Sequence, residues 1–232
     1  MQKTLLLFLL MFIFVVTACT PILIDNPTTL PITETATDIV VPADVEAFED
    51  WKPYQNSLFG LGFQYPSGWL GPDEYISDQD LRVEVGSDVV YPYGTGLESR
   101  VYELKNSYYV TIQYSKNSQN DYWKDTYQSL LKLKDGESLS GARSLVIKIR
   151  QLNRGSFEGI EYISTLSETA QTEHVYSRQV ILFDSQSNIV TIMGTPNNVD
   201  LNNATDWRAA YKLLDESNLE VFHKIVDSIT IE

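Results

Sequence analysis

The chain has 232 residues with 17 Lys and Arg against 31 Asp and Glu, a net charge of −14, two histidines and one cysteine. Such a balance speaks against nucleic acid and against electrostatic docking on anionic lipid, both of which need a basic face. One cysteine excludes an intramolecular disulfide, so the fold must rest on an ordinary apolar core, for which the length is ample.

Lys3 is the only charge before an uninterrupted apolar run, Leu5 to Val16. A membrane-spanning helix needs about 20 apolar residues, and this run is shorter. A basic start, an apolar middle and a small-residue end are the layout of a signal peptide, here residues 1–18. The run closes as Val16-Thr17-Ala18-Cys19. That ending resembles the lipobox of bacterial lipoproteins: an apolar residue, two small residues, then cysteine. The resemblance implies cleavage between Ala18 and Cys19, a diacylglyceryl group on the thiol, and an acylated N-terminus. It gives the solitary cysteine a task, because a thiolate is the best side-chain nucleophile for accepting a lipid. It also implies an extracytoplasmic location, with the membrane itself as a partner through the lipid. Two or more chains hold stably where one is marginal. Thr20 is not the Asp that the family's sorting rule associates with inner-membrane retention. The competing reading is an uncleaved anchor in which Cys19 is incidental. Loss of Lys3 with the signal would leave the remainder at −15, from −14 less one positive charge.

Residues 19–50 carry Pro21, Pro27, Pro31 and Pro42, many Thr and no sustained apolar period. The expectation is an extended, disordered tether, reaching about 3 Å per residue where it is Pro-rich. The alternative is a partly ordered arm, with Ile39-Val40-Val41 joining a sheet edge.

The domain is expected over residues 51–232. In FGLGFQYPSGW (59–69), Phe59, Leu61, Phe63 and Tyr65 alternate and face one way from a strand. Pro66 ends the pairing, Ser67-Gly68 turn, and Trp69 caps the core. LRVEV (81–85) and YYVTIQY (108–114) read as strands, the second with Tyr108, Val110, Ile112 and Tyr114 on one face. Over 119–135 the period becomes helical, with Tyr122, Trp123, Tyr127, Leu130 and Leu131 as its stripe, Ser118 or Asn120 as a cap, and Gly136 as the stop. Strands resume with SLVIKIRQL, which places Leu145, Ile147 and Ile149 together, and with GIEYISTLS. VYSRQVILFD (175–184) and NIVTIMG (188–194) read as a hairpin around Ser185-Gln186-Ser187. Thr205-Asp206-Trp207 opens a helix with Trp207, Ala210, Tyr211 and Leu214 on one side. A last helix is expected from Ser217, with Glu220 completing a capping box and Leu219, Phe222, Ile225, Val226 and Ile229 buried. The order describes an α+β fold, an antiparallel β-sheet flanked by helices.

GFQYPSGW (62–69) resembles the F-x-Y-P-x-x-W strand and turn of the PsbP-like family, named for an extrinsic subunit of photosystem II. VFHKIVDSITI (221–231) resembles that family's closing helix and short strand. The resemblance covers about residues 52–232 and implies an αβα sandwich. Residues 86–107 depart from it and read as a longer loop. No metal-binding residue of the photosynthetic subunits matches a position here, so the fold carries over and oxygen evolution does not.

The search for chemistry gives little. His174 and His223 are far apart, and each reads as a boundary residue more readily than as a ligand. Gly155-Ser156-Phe157-Glu158-Gly159 has its serine in the wrong place for a nucleophile elbow and reads as a turn. Gly94-Thr95-Gly96 lacks the rest of a phosphate loop. Asp73, Glu74, Asp78 and Asp80 crowd one segment but do not follow an EF-hand pattern, so a solvated loop is expected there rather than calcium. Asn203-Ala204-Thr205 matches a glycosylation acceptor, which the bacterial lipobox makes a chance match. Tyr91 and Tyr93 flank Pro92 in a loop and are the candidate binding surface; core and sheet-face packing, which explains most of the tyrosines, is the plainer alternative. No metal and no cofactor is expected. The function expected is a non-catalytic binding or accessory module of the cell envelope, with an envelope protein as partner. An envelope hydrolase with a dispersed site and an extracytoplasmic ligand sensor are the alternatives.

Overall fold

The computed structural model describes residues 50–87, 104–118, 121–141, 143–169, 174–202, 204 and 206–231. All of them belong to one unit of the chain, Ala43–Glu232. The signal segment, the tether with Cys19, and the loop holding Gly94, Tyr91 and Tyr93 lie outside the described residues, as do Asn120, Asn203 and Thr205.

Among the described residues the chain forms two antiparallel sheets and three helices. A small sheet has the order β1-β2-β11, from β1 (Trp51–Asn56), β2 (Leu61–Pro66) and β11 (Thr230–Ile231). The large sheet has eight strands in the order β3-β4-β5-β10-β9-β8-β7-β6. These are β3 (Leu70–Ile76), β4 (Asp80–Gly86), β5 (Ser107–Ser115), β6 (Ser138–Ser140), β7 (Ser144–Arg154), β8 (Phe157–Leu166), β9 (Tyr176–Phe183) and β10 (Ile189–Asn197). The helices are α1 (Asp121–Leu131), α2 (Trp207–Ser217) and α3 (Leu219–Asp227). Strands outweigh helices, and α+β with antiparallel pairing holds in that sheet-dominated form.

Alternation along the strands decides which face each residue serves. One face of the large sheet presents Leu81, Val83 and Val85 from β4, Tyr108, Val110 and Ile112 from β5, and Val180, Leu182, Val190 and Ile192 from β9 and β10. These pack with Leu61, Phe63 and Tyr65 of β2 and with Phe222, Ile225 and Val226 of α3. Each such side chain contributes roughly 1.5–3 kcal/mol when fully buried. The opposite face holds a smaller cluster, in which Leu130 of α1 meets Ile160, Tyr162, Ile181 and Ile189, with Trp123, Tyr127 and Leu131 packed against them.

Local chemistry fixes the connections. In the β9–β10 hairpin, Asp184 Oδ1 accepts from the backbone N–H of Gln186 and of Asn188, each at 2.8 Å, and Ser187 takes φ +64. Gly155 and Ser156 do form a turn, between β7 and β8. The acidic segment is mostly strand: Asp73 and Glu74 lie in β3, Asp80 opens β4 while accepting from Ser115 Oγ at 2.5 Å, and Asp78 sits in the bend between the two strands.

Four details of the sequence reading are corrected. Tyr122 is 66% exposed and stands outside the buried stripe of α1. That helix stops at Leu131, where Leu133 N–H turns back to Leu130 O; Gly136, at φ +84, serves the following turn instead. The alternation that runs through Leu145 and Ile147 is interrupted after Lys148, where a bulge shifts the β7–β8 register before Arg150. Finally, Ser217 ends α2 and caps nothing: its Oγ donates to Leu214 O, and α3 begins after Asn218 with no side-chain cap.

Candidate functional site

Charge lies buried where the large sheet meets the C-terminal helices. Glu161 of β8 and Asp215 of α2 are fully buried, and Arg178 of β9 is 5% exposed. The pleat places Arg178 and Glu161 on the helix-facing side, because Ile163 and Val180, their pairing partners, share that face. Arg178 grips both carboxylates. Its Nη1 donates to Glu161 Oε1 at 2.7 Å, its Nη2 to Asp215 Oδ2 at 2.6 Å, and its Nε to the same carboxylate at 3.0 and 3.2 Å. A planar guanidinium is suited to this fork.

Two further basic side chains reach Glu161. Arg150 Nε donates to Oε2 at 2.7 Å, and the β7 bulge is what sets Arg150 opposite Glu161 in the ladder. His223 Nε2, on α3, lies 3.0 and 3.2 Å from the two oxygens. Tyr108 Oη donates to Asp215 Oδ1 at 3.2 Å. Gly194 on β10 is what lets this phenol in. A Cβ there would strike Tyr108 Oη and come within 2.7 Å of the Phe222 ring.

The electrostatics follow from these contacts. Burial pushes the Glu161 carboxyl up, but hydrogen bonds from His223 and Arg150, the His223 charge and the Arg178 bond outweigh it and hold the group at about 2. Burial alone would lower Arg178; its bonds to Asp215 and Glu161 raise it instead. Tyr108 is pushed well above the usual phenol range by burial, then by the Asp215 charge. Glu161 is therefore ionised and Arg178 charged at neutral pH.

Chemically, a Glu–His pair is half of a relay, and a relay also needs a nucleophile or a substrate group within reach of the second ring nitrogen. Here the imidazole spends Nε2 on Glu161 and packs beside Phe222. The arrangement ties β7, β8 and β9 to α2 and α3. His223 is thus no plain boundary residue, whereas His174 is exposed and lies 5.1 Å from the Trp207 ring and 6.1 Å from Tyr211, centroid to centroid. Among the described residues no group of three or more His, Cys, Asp or Glu is placed to hold a metal ion. No helix among them is long and apolar enough to cross a membrane.

Sequence reasoning missed this cluster, although a signal was present. Glu161 and Arg178 occupy inward positions of otherwise apolar alternations, and Asp215 falls one turn after Tyr211 on the inner stripe of α2. Opposite charges at inward positions of three neighbouring elements are the mark of a buried pair. The sites that sequence did single out, Ala18, Cys19, Tyr91 and Tyr93, lie outside the described residues.

Fold and cluster together define an antiparallel α+β domain whose sheet is tied to its helices by buried charge. The chain has a PsbP-like structural neighbour, the solution structure of cyanobacterial PsbP (CyanoP) from Synechocystis sp. PCC 6803. The two are 12% identical, the match covers 83% of this chain and 99% of that one, and the TM-score is 0.38. No protein-family model matches the chain, and no curated protein does.

Proposed function

We propose that the chain is a lipid-anchored, extracytoplasmic binding or accessory module of the bacterial envelope, non-catalytic, with a PsbP-like αβα arrangement. The observation that carries the reading is Cys19, the only cysteine, placed directly after Ala18 at the end of an apolar run. A lipid there holds a strongly acidic body at a membrane that its own surface would not attract.

Two structural features support the rest. The stretches that resemble the PsbP-like family are far apart in sequence but adjacent in the fold. Thr230 and Ile231 pair with Gly62 and Leu61, and Ser228 Oγ accepts from Gln64 N–H at 2.9 Å. A shared pattern in two touching elements is more telling than in two separate ones. In addition, the most strongly shifted carboxylate, Glu161, has both oxygens occupied by protein donors. A general base needs a lone pair free for substrate.

The test is intact mass and membrane fractionation of the full chain made in a bacterium, beside Cys19→Ser. The wild type is expected to lose residues 1–18, gain acyl mass and pellet with membranes, and the variant to do none of these. An unmodified thiol on the wild type would overturn the reading.

A further inference from the structure

On the face of the large sheet opposite the ion cluster, a groove of about 470 Å³ runs between α1, the β6–β7 turn and the strands beneath. Five serine and threonine hydroxyls line it: Thr126 and Ser129 from α1, Ser140 at the end of β6, Ser144 at the start of β7, and Ser164 from β8. Among the described residues none of these five side chains has a hydrogen-bond partner in the protein. Elsewhere in the domain hydroxyls are put to structural use, as when Ser228 Oγ joins α3 to β2 and Ser115 Oγ holds Asp80. The groove therefore gathers hydroxyls whose bonding capacity goes outward.

Its other residues narrow the ligand. Tyr122 is 66% exposed at the rim, held edge-on to Trp123 with ring centroids 5.0 Å apart, and offers an aromatic face. At the floor, Tyr162 Oη donates to Gln179 Oε1 at 2.6 Å and Gln179 Nε2 donates to Ser177 Oγ at 2.8 Å, which fixes the carboxamide and leaves it one further N–H. No lining residue carries positive charge, and Asp125 carries a negative one, so an anion is disfavoured. A hydroxyl both donates and accepts, as does each hydroxyl of a sugar, and a sugar ring presents an apolar C–H face to an aromatic ring. Sugar hydroxyls can also replace the waters of such a groove without loss of hydrogen bonds.

We propose that the groove between α1 and the β6–β7 turn binds an uncharged polyhydroxylated ligand, a glycan chain, stacked on Tyr122 and hydrogen-bonded by the groove hydroxyls and Gln179. This gives the binding-module reading a ligand class and rests on that reading only for its biological setting.

The experiment is an NMR and calorimetric titration of the full chain in a detergent without a sugar headgroup. The probes are chitohexaose, cellohexaose, maltohexaose and a Gly/Ser peptide of similar length. Saturable binding of at least one oligosaccharide is expected, with shifts confined to α1, to β6 and the start of β7, and to the groove-facing residues of β8 and β9. Tyr122→Ala and Ser164→Leu should each weaken it by about tenfold or more, and Leu213→Ala, on the far side, should leave it unchanged. Thermal melts of the variants separate loss of binding from loss of fold, and Tyr122 is exposed enough that its truncation leaves the core intact. Absence of saturation with all three sugars overturns the proposal. So does binding of the peptide in their place, or binding that Tyr122→Ala leaves undiminished in a folded variant. The two readings rest on different residues, so a negative titration leaves Cys19 to the mass measurement, and an unmodified Cys19 leaves the groove to the titration.

Discussion

Glu161 shows what one buried carboxylate does to the pH response of this fold. Folded, it is held at about 2, against an ordinary value of 4.5. As pH falls below about 4.5 the unfolded chain takes up this proton and the folded chain does not, so acid favours unfolding. The stabilisation is complete above that range and is lost down to about 2, a change on the order of 3 kcal/mol. Glu161→Gln keeps the volume but leaves Arg178 and Arg150 facing a neutral amide. The expected outcome is a loss of about 3 kcal/mol at neutral pH, because Arg178 keeps only Asp215 as a charged partner and Arg150 loses the carboxylate it bonds. A second expectation is a flatter stability curve between pH 2 and 4.5. Urea unfolding of both proteins across that range measures both, and a variant with the wild-type pH slope would remove Glu161 from the account. The sequence did not make this residue legible, since GIEYIS reads as a strand whichever partner its Glu finds. Three partners from three other elements give Glu161 its role, and that is tertiary information.

Strands and helix faces were the most legible elements, and their ends the least, for reasons visible at particular residues. Leu61, Phe63 and Tyr65, or Phe222, Ile225 and Val226, repeat at periods that only one secondary structure satisfies, and all are buried. A boundary depends on a single hydrogen bond. Ser217 and Glu220 have capping-box spacing, yet Ser217 Oγ is taken by Leu214 O because α2 continues through it. The break falls at Asn218, whose N–H returns to Asp215 O and Glu216 O. The bulge after Lys148 left only a faint mark in the sequence, Leu152 falling out of phase with Leu145, Ile147 and Ile149. The edge strands β1, β3 and β6 escaped notice because half-exposed or exposed positions dominate them and leave little apolar period. The start of α2 was readable: Asp206 stands in extended geometry and its carboxylate accepts from Arg208 N–H at 3.0 Å. Asp206→Ala is therefore expected to cost about 1 kcal/mol. α2 carries Asp215, so the fraying should show as faster amide exchange across its first turn, with the Arg178 contacts retained. A stability loss above about 3 kcal/mol would mean that Asp206 does more than cap.

The large sheet is not uniformly held, and its weak end coincides with the groove. β5, β10 and β9 lie at its centre, each paired on both sides, with the larger core on one face. β6 is three residues long, pairs with β7, and is exposed throughout. α1 is fastened through Leu130 and its half-buried neighbours to the smaller cluster on the other face. Local opening costs little where few apolar groups must be exposed, and it approaches the cost of global unfolding where many must. Amides of β10 and β9 are accordingly expected to exchange only through global unfolding. Those of α1 and β6 should exchange through local opening at least about a hundredfold faster, after correction for intrinsic rates. Hydrogen exchange of the full chain, read by NMR, decides this; equal protection of β6 and β10 would mean that the sheet opens as one unit. α1 and the turn after β6 are also the two walls of the groove. A glycan that bridges them binds the closed form alone and must slow their exchange in proportion to its occupancy, while the amides of β10 change only by the gain in global stability. Protection that spreads evenly over the domain would place the ligand elsewhere.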